Sequence, residues 1–159
     1  MGAVDLKSFL VATPFFGGLL DASLDVVIGM LVERRYDQGV AVFHERDEGR
    51  AMYVVYAGEL VVCKKGASGR VVRISRLGPG DFFGEMTLIE MQNRSASVIA
   101  ETPTVLYELS AASLYELYQA DVHAYAMVLQ NMNRELCRRL RKADQLITEL
   151  ADAERDSFT

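Results

Sequence analysis

Two side chains of opposite charge, Glu85 and Arg94, stand nine positions apart and could divide one small ligand between them. The stretch that holds them reads Leu77-Gly-Pro-Gly-Asp-Phe-Phe-Gly-Glu-Met-Thr-Leu-Ile-Glu-Met-Gln-Asn-Arg-Ser-Ala-Ser. A guanidinium at Arg94 can grip a phosphate through two parallel hydrogen bonds, and the Ser95 hydroxyl with nearby amides can complete the cradle. Glu85 would repel that phosphate, yet a carboxylate accepts well from a sugar hydroxyl. Gly84 permits close backbone approach, and the amides opening a short helix at Glu85 favour an anion. A compact ring carrying a phosphate and a free hydroxyl satisfies every group at once. The bland alternative is an ordinary surface arginine paired with Glu85.

The elements that must position these residues follow the order helix, many short strands, helix. Asp5 to Thr13 has helical spacing that Pro14 stops, and Asp21 can cap a second helix with Leu24, Val27, Ile28 and Leu31 on one face. From Glu33 to Leu109 short runs rich in Val, Ile, Tyr and Phe predict strands: Ala41–His44, Met52–Ala57, Glu59–Lys64, Val71–Leu77, Ser95–Ala100 and Thr104–Leu109. Glycines punctuate them, with hairpin connections expected at Ala57-Gly58 and at Gly66 to Gly69. A short helix is expected over Glu85–Met91. Ser110 can cap a helix through Ala120, and Asp121 a longer one reaching about Ala153. The fold class is α+β: an antiparallel β-roll or jelly roll flanked by N-terminal helices and a long C-terminal helix. One domain spans 1–159, divided into N-terminal helices 1–32, a β-roll 33–109 containing the ligand segment 78–97, and C-terminal helices 110–153. Arg155 to Thr159 are expected to fray.

This segment resembles the phosphate-binding cassette of the cyclic nucleotide-binding domains, the family of the catabolite activator protein, the regulatory subunit of protein kinase A and cyclic-nucleotide-gated channels. Phe83-Gly84-Glu85 with Met86 and Leu88, then Arg94-Ser95-Ala96-Ser97, carries the likeness, at a spacing that family uses. Tyr36 to Gly39, Gly49 to Val55 and Gly58 to Leu60 resemble its earlier strands, and Gly78 to Phe83 its cassette entry, so the resemblance covers most of the chain. It implies that Arg94 binds a cyclic phosphate, that Glu85 and the Gly84 amide bind the ribose 2′-hydroxyl, and that Ser95 and the Ala96 amide add to the phosphate site. Thr87 stands where the family often has a smaller residue. Aligning Cys137-Arg138-Arg139-Leu140 with the catabolite activator protein puts Ala143 and Asp144 near the base. An Asp144 carboxylate could accept from adenine's amino group or from guanine N1–H and N2–H, so the ligand is cAMP, favoured by the family, or cGMP.

Composition narrows the rest. The net charge of −5 argues against non-specific binding of nucleic acid. Two separated histidines and no Cys-x-x-Cys leave no metal site and no jelly-roll metalloenzyme, and no catalytic residue or catalytic cofactor is expected. Asp21, Asp25, Pro14, Gly17 and Gly18 break the apolar stretch from Phe9 to Val32, so no membrane contact is expected. Two cysteines without a framework and no leader-like start point to the cytoplasm. Along the last helix Leu129, Asn133, Leu136, Leu140, Ala143, Ile147 and Leu150 fall in a heptad, with Asn133, Leu140 and Ile147 at a. That stripe is either the face laid on the barrel or a seam between two copies, and its 3.5-residue period favours a homodimer. The basic run Arg134, Arg138, Arg139, Arg141 and Lys142 reads as a solvated face with partners such as Glu135. The expectation is a stand-alone cyclic nucleotide sensor that signals to an unidentified effector protein without contacting nucleic acid directly. The alternatives are a fragment or truncated relative of a catabolite-activator-type transcription regulator, or a domain that keeps the fold without ligand.

Overall fold

The computed structural model describes residues 3–157. Helix α1 (Ala3–Val11) leads through a 3-10 turn (Pro14–Phe16) to α2 (Asp21–Met30). The strands follow as β1 (Val32–Tyr36), β2 (Ala41–Phe43), β3 (Ala51–Ala57), β4 (Leu60–Lys65), β5 (Val71–Leu77) and β6 (Phe82–Phe83). After the short helix α3 (Glu85–Glu90) come β7 (Ser97–Ala100), β8 (Thr104–Ser110), α4 (Ala111–Ala120) and α5 (Val122–Asp156). The strands form two antiparallel sheets, ordered β1-β8-β3-β6 and β2-β7-β4-β5. The expected roll and its flanking helices are present.

Two apolar cores explain the layering. Tyr53, Val55, Leu60, Phe83, Val98 and Leu106 pack between the sheets. Met52, Val54, Phe82 and Leu109 face the other way, against Leu10, Phe15, Leu24, Val27, Leu117, Val128 and Met132 of the helical layer. Strand β3 is therefore covered on both faces, which is why it reads as an unbroken apolar run rather than an alternating one. Phe82 and Phe83 divide between the two cores, so the short strand that enters the cassette is fixed from both sides.

The caps expected after the barrel form: the Ser113 N–H donates to Ser110 Oγ at 3.0 Å, and the Ala124 N–H to Asp121 Oδ1 at 3.0 Å. Asp121 also accepts from Ser23 Oγ at 2.7 Å, which ties α2 to the start of α5; these bonds hold its carboxyl below its ordinary pKa. Asp21 differs from its expected role. Leu20 is the N-cap residue of α2, and Asp21, inside the first turn, pairs with Lys7 at 2.8 Å. Helix α1 ends two residues early, where Thr13 Oγ1 donates to the Leu10 carbonyl and the chain enters the 3-10 turn. The strand expected from Ser95 begins at Ser97, because Arg94 to Ala96 belong to the cassette wall. Helix α5 continues past Ala153 to Asp156, so Arg155 is helical; Phe158 and Thr159 lie outside the described residues.

The long helix uses two different stripes. Ala124, Val128, Asn131 and Met132 are buried against the rest of the chain. Asn131 Nδ2 donates to the carbonyls of Phe15 at 3.0 Å and Gly17 at 2.7 Å, anchoring α5 to the 3-10 turn. Leu140, Ile147 and Leu150 are each nearly two-thirds exposed. Leu129, at the proximal end of the heptad stripe, still packs against the helical core, whereas Leu140, Ile147 and Leu150 in its distal half have no cover within one chain.

Candidate functional site

Arg94 is 5% exposed, although its side chain is charged. Its Nη1 donates to the Gly84 carbonyl at 2.9 Å and to Thr87 Oγ1 at 3.4 Å, and Nη2 donates to the Ala51 carbonyl at 2.8 Å. Thr87, the departure from the family's usual small residue, therefore helps hold the arginine. The guanidinium carbon lies 4.1 Å from the centre of the Phe43 ring, a cation–π contact. The backbone is fixed as well: Arg94 N–H donates to the Asp47 carbonyl and its own carbonyl accepts from Arg46 N–H, each at 2.8 Å.

No carboxylate reaches Arg94 within ion-pair distance among the described residues. Its Nε has no hydrogen-bond partner. Burial pulls the guanidinium below its ordinary pKa, yet an arginine stays charged under physiological conditions. Buried charges are normally paired. This one is held by carbonyl oxygens and an aromatic face, and lacks a counter-ion.

Two glycines make that placement possible. At Gly84 φ is +82°, and an added Cβ would stand 2.8 Å from Arg94 Nη1 and 3.2 Å from the Ala51 carbonyl oxygen. At Gly49 a Cβ would fall 2.3 Å from Arg94 Nε. Gly49 is legible in the sequence only as turn punctuation, and its use as the floor under a guanidinium emerges from the fold.

Glu85, the first residue of α3, is 3% exposed. Its partner is not Arg94 but Arg139 of α5, whose Nη1 donates to Glu85 Oε1 at 3.2 Å. Arg139 also donates to the Phe82 carbonyl, stacks its guanidinium 4.8 Å from the Phe82 ring centre, and reaches Glu135 at 3.4 Å. Burial pushes the Glu85 carboxyl above its ordinary pKa, and the Arg139 guanidinium acts in the opposite direction. The basic run is accordingly not wholly a solvated face. Arg138 does pair with Glu135, at 2.7 Å, but Arg139 reaches into the cassette. Only the packing of α5 over α3 reveals that contact.

All seven cassette residues expected from the sequence meet at one cavity of about 690 Å³: Phe83, Gly84, Glu85, Met86, Arg94, Ser95 and Ala96. Ser95 Oγ is 3.8 Å from Met86 Sδ, joining the two ends of the cassette across α3. Ile74 and Arg76 of β5 close one side, and Arg138, Arg139, Lys142, Ala143 and Leu146 of α5 form the facing wall. Ala143, expected near a base, lines the cavity. Asp144, the expected base contact, is exposed and does not line the cavity of its own chain. The volume suits a small organic ligand. Its lining offers a cation without a counter-ion among the described residues and a buried carboxylate, and one side is largely apolar. These features together accommodate an anion, a hydroxyl donor and a flat ring.

Residues 33–121 match the family model described as the cyclic nucleotide-binding domain. The chain belongs to that family. It is 35% identical over 132 residues to the cyclic AMP receptor protein of Thermus thermophilus, covering 83% of this chain and 59% of that protein. It is 31% identical over 108 residues to the cAMP-dependent protein kinase regulatory subunit of Yarrowia lipolytica, covering 68% of this chain and 28% of the subunit. Among solved structures, a cyclic nucleotide-binding domain from Methylobacillus flagellatus superimposes with a TM-score of 0.85 at 24% identity, over 93% of this chain and 86% of that one. The cyclic nucleotide-binding domain described here thus spans less than two thirds of the length of either curated relative. No described helix is long and apolar enough to cross a membrane.

Proposed function

We propose that this domain is a cytoplasmic, non-catalytic sensor that binds cAMP in the cassette cavity, with cGMP the alternative ligand, and signals to a protein partner as a homodimer. The observation that carries the reading is Arg94, a buried guanidinium lining a cavity and without a carboxylate partner among the described residues. A cyclic phosphate supplies the missing charge. Ser95 and the Ala96 amide complete the phosphate site, Glu85 and the Gly84 amide take the ribose 2′-hydroxyl, and Phe83 and Met86 shape the pocket. The preference for cAMP rests on the relatives whose names carry it, the Thermus receptor and the Yarrowia regulatory subunit. The uncovered Leu140, Ile147 and Leu150 support dimerisation through α5. We assign Asp144 of a second copy to the base, since within one chain it lies off the cavity.

Ligand acts by population shift: it must favour one arrangement of α5 over another. Arg139 is the obvious lever, because a ribose hydroxyl arriving at Glu85 competes with the contact that holds α5 to the cassette. The domain organisation proposed is a single unit, with helices before and after the β-roll serving the cassette.

Isothermal titration of the folded protein with cAMP and with cGMP tests the reading. Binding of one or both is expected; heat from neither ends the proposal. A second reading, the ligand-binding part of a transcription regulator, is favoured by the likeness to a cAMP-activated global transcriptional regulator of Pseudomonas aeruginosa, 30% identical over 132 residues. Specific, salt-sensitive retardation of DNA by this chain itself would support direct contact with DNA over signalling to a protein.

A further inference from the structure

With Asn133, Leu140 and Ile147 at a, and Leu136, Ala143 and Leu150 at d, the flanking positions of α5 follow. Position g holds Met132, Arg139 and Leu146, and position e holds Cys137, Asp144 and Ala151. In a parallel two-helix seam each g residue faces the e residue five positions on in the other helix. Met132 is buried in its own chain's core, so the pairs that can face each other are Arg139 with Asp144 and Leu146 with Ala151. One pair is charged, its signs are opposite, and no pair is repulsive.

Both members of the charged pair have capacity to spare within one chain. Arg139 uses three hydrogen bonds, to Glu85, the Phe82 carbonyl and Glu135, of the five N–H groups on a guanidinium. Its side chain is 34% exposed. Asp144 is exposed, and its carboxylate makes no ion pair among the described residues; only its backbone carbonyl is engaged, accepting from Thr148 Oγ1 at 3.0 Å. Leu140, the a position next to Arg139, and Ile147, the a position after Asp144, are uncovered.

We propose that Arg139 of one copy pairs with Asp144 of a second copy across a parallel α5 seam, so that the side chain gripping Glu85 at the pocket is also gripped by the dimer interface. This rests on the dimeric reading above and gives it an orientation: an antiparallel seam sets g against g and e against e, and does not join these residues. A carboxylate has two oxygens and about four acceptor directions, so Asp144 paired with Arg139 retains acceptors for the amino group of a base. Arg139 then acts as a positioning residue. It relays the state of Glu85 to the interface and holds the second copy's carboxylate at the pocket mouth.

The test uses two variants of the full chain, R139D and D144R, without ligand. Each alone puts like charges in both cross-seam positions, whereas a mixed dimer has two attractive pairs. By native mass spectrometry of an equal mixture, heterodimers should exceed the statistical half of all dimers. By sedimentation at low ionic strength, the D144R homodimer should dissociate roughly tenfold more readily than the unmodified dimer, a gap that narrows as salt screens the charges. The sedimentation arm stands on its own if R139D, which adds an acid beside Glu85, does not fold. An unmodified chain that stays monomeric at every concentration overturns the dimeric reading and the pair with it. An unmodified dimer, with D144R equally tight and any mixture statistical, overturns the pair alone.

Discussion

The cavity has two walls built on different physical terms. On the barrel side, Arg94 is buried, tied by side chain and backbone to Ala51, Gly84, Thr87, Arg46 and Asp47, and set over Phe43. On the helix side, Arg138, Arg139 and Lys142 are exposed or half-buried, and the links to the cassette run through the ends of long side chains. Moving the first wall means breaking β-sheet structure and stranding a buried charge. Moving the second breaks no sheet structure; it releases the Arg139 contacts to Glu85 and the Phe82 carbonyl, whose arginine end is part-exposed and whose place at Glu85 a ligand hydroxyl could take. On the proposed reading one wall suits recognition and the other response: the rigid wall would fix the phosphate, and the helix wall would follow the ligand.

Removing the guanidinium should break this contrast most severely. Charge-assisted hydrogen bonds are worth roughly 1.5–3 kcal/mol each, so Arg94→Ala should lower cyclic nucleotide affinity by about two orders of magnitude or more in calorimetric titration. Unchanged affinity would show that Arg94 is not the phosphate ligand. Glu85→Gln comes next, with a loss of roughly tenfold, the equivalent of one charge-assisted bond to the ribose. Its pH dependence is the sharper measurement. Burial raises the carboxyl pKa in the folded protein, so the stability Glu85 contributes is complete below the ordinary carboxylate pKa and is lost as pH rises through the raised value. Ligand affinity should move oppositely, rising with pH through that same value as the accepting carboxylate forms. Glu85→Gln should flatten that rise.

Gly49→Ala sharpens the account of the rigid wall. The added methyl collides with Arg94 Nε, and the arginine, pinned at both ends, has little room to yield. Affinity should fall several-fold to about tenfold, with a modest loss of stability. A variant that binds normally would mean that the guanidinium shifts without cost. The smallest effect on binding is expected at the base of the helix wall. Asn131→Ala strands the Phe15 and Gly17 carbonyls and should cost about 1–3 kcal/mol in chemical denaturation. Affinity of the folded fraction should stay within about twofold.

Particular residues show what could be read in advance. The cassette was legible because turn glycines, a helix start and two charged anchors occur within one short stretch, where spacing along the chain nearly fixes spacing in space. The helix caps at Ser110 and Asp121 were legible for the same reason, since a cap reaches only three residues. Asp21 misleads a sequence reading because a residue suited to N-capping serves equally well one position later, in the first turn, where Lys7 of another helix can bind it. The two stripes of α5 could be separated only once the barrel showed which one it covers.

The sequence by itself determined which groups the cassette holds: a guanidinium, a carboxylate, and glycines where the backbone must pass closely. Tertiary structure decided what surrounds that chemistry. It assigned Glu85 to Arg139 rather than to Arg94, placed Gly49 beneath the guanidinium, left Arg94 without a counter-ion and set Asp144 outside its own pocket. The physical reason is distance along the chain. Glu85 and Arg139 are separated by 54 positions, and only the folded barrel, with α5 laid across it, brings such residues within a hydrogen bond of each other.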